Sequence, residues 1–245
     1  MSYLFNTFLY NPLYNALVLL TDILPGADIG IAVIVLTLLV RLLILPLETK
    51  QLHTTTKIAE IKGQIDEINK KYADNKEERA RKTLELYRIN KINPFAGFFL
   101  ILIQIPIIIA LYWVFLKGIP FKSELLYSFV RLPETVNFNF LGLFDLATAS
   151  YVLAVLAGIS QYFQIKFSLP PTPKKQSGKP SFSDDLARSM SMNMKYVMPV
   201  FIALIASRLP AVIALYWITG AVFKIAHELL YKRRILSRKV DTPNV

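Results

Sequence analysis

The sequence predicts an all-α polytopic membrane protein with five transmembrane helices, an N-terminal interfacial helix and a cytoplasmic helical hairpin. Three observations lead there. Of the 245 residues, 54% are hydrophobic, and they gather into runs of the length a bilayer needs. The basic residues avoid those runs and cluster between them: residues 1–40 hold no Lys or Arg, eleven fall from Lys50 to Lys91, six from Lys166 to Lys195 and six from Lys224 to the end. Only three lie from Lys117 to Asp145, and Arg208 stands alone. By the positive-inside rule this asymmetry sets the amino terminus outside and the carboxyl terminus in the cytoplasm. Finally, the hydrophilic stretch after the first run keeps a helical period, so it is structure and not linker.

Composition also excludes. The chain has no cysteine, which removes disulfides, thiolate zinc sites, a cysteine nucleophile and a lipoprotein-type anchor. Its two histidines, His53 and His227, are too few for clustered imidazole chemistry. Gly178 and Lys179 lack the upstream glycines of a phosphate-binding loop, and no span carries paired carboxylates or a Ser, His and Asp set. No catalysis, metal or cofactor is therefore expected. The net charge of +11 follows the loops, which argues against sequence-specific nucleic-acid binding.

The elements follow in order. Residues 1–27 are apolar with asparagines threaded through. Asn11 followed by Pro12 reads as an N-cap and first helical position, leaving a helix of about thirteen residues that is too short to span and is expected to lie in the outer interface. A signal peptide lacks its basic start and cleavage site here, and an extra span is the remaining alternative. Pro25 and Gly26 then break the chain, and the first span occupies 28–49, with its apolar part ending near Pro46.

Residues 50–92 form the hairpin. Ile58, Ile61, Ile65, Ile68 and Tyr72 recur at alternating spacings of three and four, and Ala80, Leu84 and Tyr87 resume the pattern after a break at Ala73, Asp74 and Asn75. The second span, 93–117, opens at Asn93 and Pro94 and carries Gln104 and Pro106 at mid-depth. An extracytoplasmic loop fills 118–146, with an aromatic-rich segment at 138–144 expected to rest on headgroups. The third span, 147–167, ends in a Gln-rich inner half; a Pro, Ser and Lys-rich loop expected to be mobile covers 168–192; the fourth span is 193–208 and the fifth 209–230. The tail, 231–245, is basic through Lys232, Arg233, Arg234, Arg238 and Lys239. Residues 106–113 and 210–217 both begin with proline and end in ALYW. Either inverted repetition or similar packing demands explains that echo.

Within the apolar zone Arg41 stands out. An arginine near a helix centre costs roughly 2.5–3.5 kcal/mol to insert, so it either snorkels to the interface or faces water and polar protein. Thr37, Gln104, Ser160, Gln161, Gln164, Tyr216 and Thr219 are the polar groups at similar depth. No carboxylate lies in the central part of a span, with Glu48 and Glu228 both near the inner boundary, so a wet, positively charged cavity is expected in place of a buried ion pair. Alternatively, the glutamines bridge helices by hydrogen bonds.

Taken together, an interfacial helix, a span with arginine followed by LPL (45–47), a charged hairpin, NPFAG (93–97), LIQIPIIIALYW (102–113), the Gln-rich third span and LPAVIALYWIT (209–219) resemble the YidC, Oxa and Alb family of membrane protein insertases. The likeness runs from about Leu4 to Tyr231 and fits the minimal five-span bacterial form. It implies a multi-pass protein of the bacterial cytoplasmic membrane, the cell inner membrane, with a groove open to cytoplasm and lipid. Arg41, Gln104, Gln161, Gln164 and Trp217 match groove positions; the hairpin matches a substrate-receiving element, and the basic tail a ribosome or lipid contact. Nascent membrane proteins are the implied partners, with membrane lipids, the general protein translocase and the ribosome beside them. Gly63, Phe98 to Leu100 and Ala221 depart from the pattern, where family members often carry proline, a Cys-Leu-Pro segment and asparagine.

The expected function is an insertase and chaperone. A nascent chain's hydrophilic tail lodges near Arg41 and its apolar helix slides into lipid. The rivals are a secondary transporter or channel with an anion site at Arg41, and an assembly factor that holds helices without translocating anything.

Overall fold

The computed structural model describes residues 3–93, 96–118, 121–168 and 192–240. The first helix is longer than its sequence suggests. Tyr3–Phe5 is helical, Asn6–Tyr10 forms a π-helical turn, and α1 (Asn11–Ile23) continues it. Asn11 has helical angles (φ −63°, ψ −44°) and donates its N–H to the Asn6 carbonyl, so it is not an N-cap. Pro12 cannot donate to a carbonyl one turn back, and the wider π turn just before it accommodates the ring. Tyr14, Leu17 and Val18 are fully buried against the rest of the molecule. Asn15 donates to the Leu125 carbonyl at 2.9 Å and accepts from the Tyr127 N–H at 2.7 Å, fastening α1 to the loop that the charge pattern puts outside.

After a 3-10 turn at Pro25–Ala27, with Gly26 at φ 73°, Asp28 caps α2 (Ile29–Glu60) by accepting from the N–H groups of Gly30 and Ile31. The apolar run and the start of the expected hairpin are one helix. Pro46 removes one backbone bond without ending it, and Thr49, Thr55 and Thr56 bond back to carbonyls four residues earlier. The hairpin proper is α3 (Lys62–Lys71) and α4 (Lys76–Ile89), the latter capped by the Asn75 side chain. Ile61 is buried and Ile58, Ile65, Ile68 and Tyr72 are half-buried, but Ala80 and Leu84 are exposed. The face that α4 shelters runs through Arg79, Thr83, Leu86, Tyr87 and Asn90 instead, a register the alternating charges disguised.

Next comes α5 (Ala96–Lys117), unbroken at Pro106. In the outer loop a small hairpin pairs β1 (Asn139–Phe140) with β2 (Phe144–Asp145) around Leu141 and Gly142, both at positive φ. Its tip residues Leu141 and Leu143 are exposed, while the Phe140 ring covers Gly30 so closely that a Cβ there would lie 2.3 Å from it. The last helices are α6 (Tyr151–Ser168), α7 (Met198–Ala206), entered through a π turn at Asn193–Val197, and α8 (Ala211–Val240). The fifth span and the start of the basic tail are thus one continuous helix. The mobile loop expected at 168–192 lies, but for its two ends, outside the described residues.

Helix α8 packs along α6 and α2, and α6 also packs along α7, where Gly158 lets the Pro199 carbonyl and Ala203 approach. Large apolar side chains are exposed along the middle of the bundle: Leu42 and Leu43 on α2, Ile105 and Ile109 on α5, Val155 and Ile159 on α6, Val200 and Leu204 on α7. Such a belt fits lipid as its solvent. Among the described residues two helices are long and apolar enough to cross a membrane, Ile29–Glu60 and Ala211–Arg233, and Leu102–Leu116 and Asn193–Ala206 are shorter apolar stretches.

Candidate functional site

The site is built where α2, α5 and α8 meet around Arg41. Arg41 is twelve residues into α2, roughly 18 Å along its axis. Its side chain is 15% exposed, and Nη1 donates to Glu48 Oε1 at 2.9 Å. The expectation of an unpaired guanidinium is therefore corrected: the carboxylate assigned to the inner boundary reaches back two helical turns to meet it. Seven residues is about 10 Å of rise, which two long side chains on the same face close between them. Glu48 is 3% exposed, and its second oxygen, Oε2, is buried without a hydrogen-bond partner.

Gly220 on α8 supplies the floor. A Cβ there would lie 2.7 Å from Arg41 Nη2 and 3.2 Å from Nε, so the guanidinium rests directly on the α8 backbone. Tyr216, one turn earlier on α8, is buried within the field of both Arg41 and Glu48, with the Gln104 side chain on α5 close by. Arg41, Gln104 and Tyr216 are thus brought together. Thr37 is buried nearby, but its hydroxyl donates to the Val33 carbonyl at 2.6 Å and is spent on its own helix. Ser160 and Thr219 do the same, to the Ala157 and Leu215 carbonyls. Gln161 and Gln164 are half-buried and continue the buried stripe of α6 through Ala154, Ala157 and Gly158. Trp217 is half-buried against the core.

Further toward the inner end lies a cavity of about 30 Å³ lined by Glu48, Gln51, Leu52, Thr55, Ser168, Lys224, His227 and Glu228. That is room for one or two waters. Glu228 is 3% exposed; its Oε1 accepts from the Ser168 hydroxyl, and its Oε2 has no partner. Glu48 belongs to this cavity and to the Arg41 pair, so the two are one polar system. With Arg41 and Lys224 against Glu48 and Glu228, its fixed charges balance, where sequence alone suggested an excess of positive charge. Sequence reasoning missed Glu48, Gly220 and Lys224. A Glu seven residues after a buried Arg is the one signal that was available.

Polar rungs fix how α2 and α8 run. Arg41 meets Gly220, Thr49 Oγ1 lies 3.1 Å from His227 Nε2, and His53 Nδ1 lies 3.0 Å from the Tyr231 hydroxyl. Both series advance together, so the helices are parallel. Lys232 Nζ donates to the Phe167 carbonyl at 2.6 Å, closing the end of α6. Arg233 is exposed; the side chains of Arg234, Arg238 and Lys239 lie outside those described.

Comparison with known proteins agrees with the resemblance. The family model of the 60Kd inner membrane protein matches residues 20–238. The chain is 33% identical over 215 residues to the membrane protein insertase YidC of Oceanobacillus iheyensis, covering 86% of this chain and 77% of that protein. It is 31% identical over 232 residues to the membrane protein insertase YidC of Fusobacterium nucleatum, covering 93% and 98%. Against the membrane protein insertase MisCA of Bacillus subtilis it is 30% identical over 215 residues, covering 85% and 72%. A match that includes the Arg41 helix, the hairpin and the α8 helix makes this chain a member of the 60Kd inner membrane protein family.

Proposed function

We propose that this chain is a five-span insertase of the bacterial cytoplasmic membrane, amino terminus outside and carboxyl terminus inside, that takes nascent membrane proteins from the cytoplasm and releases them into lipid. The observation that carries the reading is a half-buried arginine seated on a glycine between α2 and α8 in a member of a family whose relatives are named insertases. The parallel run of α2 and α8 agrees with both helices heading inward. Asn15 and Tyr14, bonded to the backbone at 122–127, favour the interfacial position for α1.

In this reading a hydrophilic tail needs to cross only the part of the hydrocarbon beyond Arg41, and a carboxylate on that tail pairs with the guanidinium. Burial of the apolar helix then drives the step forward. Exposed isoleucines on α5 give that helix a path into lipid. The hairpin receives substrate at the cytoplasmic side, and the basic end of α8 faces the ribosome and anionic headgroups, with the translocase as a further partner.

Photocrosslinkers at Gln104 and Trp217, with Val200 on the lipid-facing side of α7 as control, test this on a stalled single-span nascent chain. The first two positions should capture it at least several-fold more than the third. Equal capture at all three would count against a groove at this site.

A further inference from the structure

We infer that Glu48 is a resident competitor for Arg41, which sets how acidic a substrate tail must be before the insertase accepts it; this rests on the function proposed above. Four features carry it. The pair is single-pronged, with Glu48 Oε1 on Nη1 at 2.9 Å and Oε2 left buried without a partner, so a carboxylate bound through both oxygens makes the better contact. Both members lie on α2, so the pair needs no other helix and persists as a groove opens around it. Gly220 keeps its side of the guanidinium clear of any side chain, and among the described residues Arg41 donates to Glu48 alone.

The displaced carboxylate also has somewhere to go. Glu48 lines the same cavity as Lys224 and His227. A change of rotamer toward Lys224, which makes no ion pair of its own among the described residues, gives Oε2 a partner and leaves Arg41 to the incoming tail, so Glu48 and Arg41 each keep an opposite charge after the exchange. A neutral tail cannot drive it, because it offers Arg41 nothing to replace Glu48. The carboxylate therefore converts a groove that would hold any polar tail into one that discriminates by tail charge.

The test uses the full chain in liposomes and single-span test proteins whose outer tails carry none, one, two or three aspartates, read by protease protection. In the wild type, protection should climb with tail acidity. Glu48→Gln should shift that climb to fewer aspartates, raising protection of the one-aspartate tail at least threefold relative to the neutral tail measured in the same variant. Lys224→Met, which removes the acceptor for displaced Glu48, should shift it the opposite way. A Glu48→Gln series that, scaled to its own neutral tail, is unshifted from wild type would overturn the role of Glu48 while leaving insertion intact. A drop by the same factor for every tail would also overturn it, as damage to structure. If the wild type protects no tail at all, the underlying insertase reading falls, and this inference with it.

Discussion

At the scale of single residues, the molecule spends a buried arginine and a buried glutamate on one another, and the balance between them is delicate. Removing one partner of such a pair strands the other, at about 3–5 kcal/mol. Gly220 offers a gentler probe. The atoms that crowd its missing Cβ are the flexible end of Arg41, which can swing aside, and alanine favours the helix by about 1 kcal/mol over glycine. Gly220→Ala should therefore stay within about 1 kcal/mol of wild-type stability by thermal unfolding, while capture of acidic tails falls severalfold because the guanidinium no longer lies where the tail reaches it. Arg41 was legible in the sequence because a charge in an apolar run announces itself. Its partner was not: spacings of three and four are the ones that read as a helical pair, and Glu48 sits seven residues on, beyond a proline that looked like the end of the span.

At the scale of elements, apolar runs located the helices and failed at their ends. Two prolines misled, where Pro25 and Pro106 did not. Pro12 is absorbed by a π turn and Pro46 lies inside a continuous helix, and α2 carries on to Glu60 because its polar continuation remains a good helix. Leu84 and Tyr87 were assigned to the hairpin's inner face by their spacing; Tyr87 is half-buried there, whereas the turn after Tyr72 rotates α4 so that Leu86 takes the place of Leu84. Asn15 shows the reverse case, a polar residue in an apolar helix whose purpose only the fold reveals. Replacing it with alanine leaves the Leu125 carbonyl and Tyr127 N–H without their partner. The variant should lose roughly 1–3 kcal/mol, and limited proteolysis between residues 121 and 130 should speed up before any other segment becomes sensitive.

At the scale of the whole molecule, the segregation of charge and hydropathy gave the class of protein, and the family match agrees with it. The electrostatic character of the centre was beyond that level of reading. Counting charges along the chain suggested a positive cavity, because Arg41 and Glu48 meet along α2 only through the reach of two long side chains, and Lys224 and Glu228 join Glu48 around one cavity only once α2 and α8 lie side by side. On the proposed reading, this system becomes an anion receptor only when a substrate carboxylate takes the place of Glu48 on Arg41.

The most direct measurement is protease protection of a single-span test protein with an acidic outer tail, added to liposomes that hold only this purified chain. Wild type is compared with Arg41→Ala/Glu48→Gln, in which neither charge is left stranded. The account predicts a protected tail with the wild type and protection close to that of empty liposomes with the double variant. A folded wild-type chain that protects no more tail than empty liposomes would contradict autonomous insertion, and equal protection by both proteins would contradict the central place given to Arg41.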